Sequence, residues 1–101
     1  MSPTQRSLKY LRELGYKAAV TEHWNPFARI RQDLFGIVDI VALRKGETLA
    51  VQCTSSSGVS ARVNKIAEHE STPWIRDAGW RLEVHGWTKG RRGGPRVVDC
   101  S

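Results

Sequence analysis

Asp39 is the only polar residue in the run Ile37 to Leu43. That run is otherwise β-branched and aliphatic, the composition of a strand buried on both faces. An ionised carboxylate there is costly unless a cation, a proton or several hydrogen-bond donors compensate it. A second carboxylate, Asp33, lies six residues earlier, and a second apolar run ends in Gln52-Cys53-Thr54. Carboxylate and amide oxygens gathered at one place suit a hard divalent cation. The plain alternative is an Asp39 satisfied by backbone donors or an arginine, with Asp33 serving only as an N-cap or turn residue.

Lys45-Gly46-Glu47 forms a compact polar turn between the two runs. A glycine there supplies the positive φ that a tight hairpin needs, so the runs read as adjacent antiparallel strands. Gln52 and Thr54 project to one face of the second strand, Val51 and Cys53 to the other. Asp39 can therefore lie near Gln52 and Thr54. With Gly36 three residues before it, this Gly36-x-x-Asp39 followed by Gln52-Cys53-Thr54 resembles the PD-(D/E)XK nuclease superfamily, whose pattern is an Asp followed by Glu-x-Lys.

The resemblance implies an α/β fold with a restriction-endonuclease-like αβββαβ core, in which helices flank a mixed central sheet. It also implies a metal-dependent endonuclease hydrolysing DNA phosphodiesters, using Mg²⁺ with Mn²⁺ as a substitute. Asp39 would be the principal ligand and Asp33 the second carboxylate. Gln52 would ligate the metal or hold one of its waters, and the Cys53 carbonyl would join through its strand position. This chain has Gln52 where the family has Glu, and Thr54 where it has Lys. A Gln brings an oxygen but no charge, and a Thr orders a water but cannot stabilise an anion as Lys does. Glu22, at the end of an earlier strand, is the other candidate carboxylate, against a solvated strand end as its plainer role. Lys65, ahead of Arg62, is the candidate to replace the missing lysine from the helix after the second strand.

At 101 residues the chain reads as one domain, 1–101, with a core of modest size. No apolar run approaches bilayer length and no signal-peptide pattern is present, so a cytoplasmic protein is expected. Cys53 and Cys100 suggest no disulfide, and with His23, His69 and His85 they form no zinc-like spacing. Sixteen Lys and Arg against ten Asp and Glu give a net charge of +6 and a pI near 9.9. This balance favours a polyanionic partner.

In chain order, Thr4 is expected to cap a helix bearing Leu8, Leu11 and Leu14 at helical spacing. Tyr16 to Thr21 reads as a strand. A loop over 25–32 carries Phe27, Arg29 and Arg31, of which the arginines suit phosphates. Trp24 and Phe27 suit either stacking on an unpaired base or, as the simpler reading, capping of the core. After a polar Ser55–Gly58 linker, a helix from Val59 to Glu70 has Val59, Val63, Ile66 and Ala67 as its core face, with Arg62, Lys65 and His69 on another side. Thr72 as N-cap and Pro73 at the first helical position begin a short helix. Trp80, Leu82 and Val84 alternate with Arg81, Glu83 and His85 as a half-buried strand. A glycine-rich basic loop with Lys89, Arg91 and Arg92 precedes an edge strand at Arg96-Val97-Val98. Arg29, Arg31, Arg62, Arg91 and Arg92 are the expected nucleic-acid contacts.

A one-domain nuclease that cuts two strands implies a homodimer acting on duplex or branched DNA, in the size range of resolvase-like and phage nucleases. The main rival is a nucleic-acid-binding module on the same fold with a decayed metal site, which the Gln and Thr substitutions favour. An interaction protein using exposed tryptophans is the third reading.

Overall fold

The computed structural model describes residues 1–90 and 92–101. The first helix, α1 (Pro3–Glu13), starts earlier than its sequence suggests: Ser2, not Thr4, is the N-cap. Its hydroxyl accepts from the Gln5 N–H at 3.2 Å, and Pro3 takes the first helical position, where its missing N–H costs nothing. Leu8 and Leu11 are buried, whereas Leu14 falls at the C-cap and is exposed.

Five strands form one mixed sheet in the order β1 (Lys17–Val20), β4 (Ile40–Arg44), β5 (Glu47–Ser55), β6 (Arg81–Trp87), β7 (Arg96–Asp99). Two more, β2 (His23–Asn25) and β3 (Ile30–Gln32), pair into a separate hairpin. The expected loop over 25–32 is therefore largely a ribbon. The β4–β5 hairpin turns on Lys45 and Gly46, with Arg44 opposite Glu47 and Gly46 at φ +76°, as the turn chemistry requires. Antiparallel pairs hold β1 to β4, β4 to β5 and β6 to β7, while β5 and β6 run parallel. That parallel pair needs a crossover, which α2 (Val59–Glu68) and α3 (Thr72–Asp77) supply after a single 3-10 turn at Ser56–Gly58.

Helices cover both faces of the sheet, so β5 is buried on both sides. Leu49, Val51 and Cys53 pack with Leu8, Leu11 and Tyr16 under α1. Ala50 packs with Val59, Ile66, Ile75, Leu82 and Val84 under α2 and α3. Ala67, expected in the core face of α2, is exposed, while Ile66 beside it in the last turn is fully buried in the core. Thr72 does not cap α3; it occupies the first helical position, and its buried hydroxyl donates to the Ile66 carbonyl at 2.6 Å, tying α3 to the end of α2.

The strand expected to be half-buried is more deeply covered than its alternation implies. His85 has 0% exposure, with Nδ1 3.0 Å from the Ser7 hydroxyl and Nε2 3.1 Å from Glu83. The Trp87 indole donates to the same Ser7 oxygen at 2.8 Å. α1 lies over this end of β6 and supplies the hydroxyl that lets a histidine be buried there. No helix among the described residues is long and apolar enough to cross a membrane.

Candidate functional site

The apolar run holding Asp39 is a strand only from Ile40 onward, so Asp39 stands at the mouth of β4 rather than in the middle of a strand. The preceding residues fold into a tight turn. Leu34 and Val38 exchange backbone hydrogen bonds at 3.0 Å, with Phe35 and Gly36 at φ +55° and +82°. Gly36 is needed twice over, for its positive φ and because a Cβ there would lie 2.7 Å from His69 Nε2. This turn swings Asp33 back beside Asp39. The end of β1 is fastened to the same place: Thr21 donates its N–H to the Asp39 carbonyl at 2.8 Å and its hydroxyl to the Val38 carbonyl at 3.1 Å. Glu22 is thereby delivered to the two aspartates.

Glu22, Asp33 and Asp39 each place a carboxylate oxygen within 4.8 Å of the others. Glu22, the less favoured candidate on sequence grounds, thus belongs to the cluster together with Asp33. Its only advance signal was its position at a strand end, and strand ends with acidic residues are common. Asp39 is 3% exposed and Gln52 1%. One Asp39 oxygen accepts from Gln52 Nε2 at 2.7 Å and from the Cys53 N–H at 2.8 Å. Gln52 Nε2 also lies 3.5 Å from Asp33 Oδ2. Lys65 reaches in from α2, its ammonium 3.9 Å from Asp33 Oδ2. Arg62, one turn earlier on α2, is partly buried.

Burial and the adjacent Asp33 carboxyl, with added repulsion from Glu22, push the Asp39 carboxyl up to about 7 against the opposing Cys53 N–H. Three clustered carboxylates face two cations, each only at 3.9 Å, Lys65 on Asp33 and Arg31 on Glu22, and so remain short of positive charge. Gln52 Oε1 is buried with no hydrogen-bond partner, a costly state for an amide oxygen. Rotating the amide by half a turn would aim that oxygen at the carboxylates, an arrangement that a cation between them, or the proton on Asp39, makes favourable.

Cys53 takes part through its backbone. Burial pushes its thiol up to about 12, so it stays neutral. In an extended strand the N–H and C=O of one residue leave the same edge, which puts the Cys53 carbonyl on the Asp39 side. Thr54 shares the Gln52 face as expected but packs against Gly58, where an added Cβ would meet its hydroxyl oxygen at 2.2 Å.

A cleft of about 450 Å³ opens beside the carboxylates, lined by His23, Arg31, Gln32, Asp33, Gly36 and Lys65. Arg31 is exposed and lies 3.9 Å from Glu22. Arg29 sits in the β2–β3 turn at φ +56°. Arg92 is exposed in the loop before β7, and Arg91 lies outside the described residues. Trp24 and Phe27 do not cap the core: they are 55% and 98% exposed. Searches find neither a protein-family model nor a curated protein that matches this sequence.

Proposed function

We propose that this chain is a metal-dependent endonuclease hydrolysing DNA phosphodiesters, built on a PD-(D/E)XK-type core. The observation that carries the reading is the convergence of Glu22, Asp33, Asp39, the unpartnered Gln52 oxygen and Lys65 at the mouth of β4. The element order supports it: α1, three antiparallel strands β1, β4 and β5, the α2 crossover and parallel β6 follow the αβββαβ succession, with the β2–β3 hairpin inserted.

The donor set fits Mg²⁺, with Mn²⁺ as a substitute. Glu22, Asp33 and Asp39 offer carboxylate oxygens, Gln52 an amide oxygen and Cys53 a carbonyl; among the described residues the cluster itself contains only oxygen donors, with the His23 imidazole on the wall of the adjoining cleft. Such an ion supplies Lewis acidity toward a phosphate oxygen and lowers the pKa of a bound water. The chain's own residues do the rest. Asp39 gives up the proton it holds up to about pH 7. Lys65 stands in for the family's lysine, its ammonium placed to orient water and offset negative charge. Arg31 flanks the cleft for a neighbouring phosphate, and Arg29, Arg62, Arg91 and Arg92 extend the basic contacts. Two copies acting together would cut both strands, which makes a homodimer the proposed assembly.

The test is cleavage of labelled duplex, single-stranded, splayed, flap and four-way-junction DNA with Mg²⁺, Mn²⁺ or EDTA, with wild type beside Asp39→Ala. Metal-dependent cleavage that disappears in the variant supports the nuclease. Cleavage unchanged by the substitution sinks the site. Thr54, turned toward Gly58, favours a second reading in which the site has decayed and the chain only binds DNA. Binding without cleavage under every metal would select that reading.

A further inference from the structure

The β2–β3 hairpin carries three large apolar residues out of the fold: Phe27, Trp24 and Ile30 are 98%, 55% and 50% exposed. Neither hydrophobic cluster of the core includes them. The turn that presents Phe27 is well braced. The Asn25 side chain accepts from the Phe27 and Ala28 N–H groups at 3.0 and 3.1 Å and donates to Gln32 at 3.3 Å. The Asn25 carbonyl accepts from Arg29 at 2.8 Å. Trp24 lies directly opposite Arg31 in the ribbon, so an indole and a guanidinium share one face. At its base the ribbon runs into the acidic cleft, which His23, Arg31 and Gln32 line together with Asp33 and Lys65.

We propose that this hairpin is a DNA-opening ribbon: Trp24 and Phe27 stack on bases left unpaired beside the phosphate in the cleft, while Arg29 and Arg31 hold the flanking phosphates. The preferred substrate class is then branched or frayed DNA rather than continuous duplex. Aromatic faces stack on any base, and arginines beside them supply the phosphate contacts that a strand leaving the duplex needs. The net charge of +6 favours a polyanion over an apolar protein surface. Continuity of the ribbon with the cleft makes one molecule the occupant of both. The proposal rests on the nuclease reading for the identity of the polymer.

The experiment measures affinity in EDTA for a splayed fork and for continuous duplex of equal length. The fork carries 2-aminopurine at its branch, and wild type is compared with Phe27→Ala, Trp24→Ala/Phe27→Ala and Asp39→Asn. Both aromatic positions are exposed, and thermal unfolding checks that the variants fold. The expected result is a fork preference of about tenfold or more in wild type and in Asp39→Asn, reduced in Phe27→Ala and close to parity in the double variant. The branch fluorophore responds only when the aromatics are present. A preference that survives the double substitution, or none in wild type, overturns the proposal. So does a dimer that becomes monomeric in the double variant while the preference stays, which would make the ribbon a contact between copies. Because binding is read without metal, failure of the nuclease reading is seen separately, as wild-type protein that prefers the fork yet cuts nothing with Mn²⁺.

Discussion

Asp39 holds a position where its charge is unwelcome. Its carboxyl is raised from 3.8 to about 7, chiefly by burial. With the folded value above the unfolded one, the native state binds this proton more tightly, so metal-free stability falls as pH rises from about 4 to about 7. Asp39→Asn keeps an oxygen for the Cys53 and Gln52 donors while removing the charge. At pH 8, thermal or urea unfolding without metal should show the variant more stable by roughly 2 to 4 kcal/mol. On the proposed metal site, Mn²⁺ should raise the unfolding midpoint of wild-type protein, increasingly as pH rises through about 7, and should leave that of the variant unchanged. Gln52→Glu works in the opposite sense. A fourth carboxylate beside Asp39 lowers metal-free stability and raises Mg²⁺ affinity by about tenfold or more, readable by calorimetric titration.

At the scale of elements, two devices hold the site. The first is the turn from Asp33 to Asp39, where Gly36 combines positive φ with close approach to His69. Gly36→Ala should cost about 1 to 3 kcal/mol in urea unfolding and reduce cleavage further than that loss explains, because the turn also aims Asp33. The second is the α1–β6 contact, in which the Ser7 oxygen serves both His85 and Trp87. Ser7→Ala leaves two buried nitrogens without this partner and should cost about 1 to 3 kcal/mol by the same measurement, with metal binding intact. Periodicity showed that these elements exist. It did not show that Ile37 and Val38 belong to the turn rather than to the strand, since buried turns and buried strands have the same apolar composition. Nor did alternation along β6 reveal that α1 would cover its polar face.

For the whole molecule, basic side chains surround an acidic centre. Arg29 and Arg31 lie on the hairpin, Lys65 on α2, and Lys89 in a second cleft with Arg6 and the Ser55–Ser57 hydroxyls. Phosphate contacts of this kind release counterions, so DNA affinity measured by anisotropy should fall at least about tenfold between about 50 and 200 mM salt. A weak salt dependence would count against a phosphate-binding surface.

The sequence by itself determined the layered α/β character, the β4–β5 hairpin and its turn residue, the shared face of Gln52 and Thr54, and Asp39 as the costly carboxylate. These follow from properties local to the chain: side-chain period, turn chemistry, and one charge among aliphatic residues. Only the tertiary structure decided that Glu22 joins Asp33 and Asp39, that Lys65 reaches the cluster while the Thr54 hydroxyl lies against Gly58, and that Trp24 and Phe27 stand in solvent. Those outcomes depend on which strand lies beside which, and on a hairpin that leaves the sheet. Residues 17 positions apart such as Glu22 and Asp39 meet only after that pairing is made.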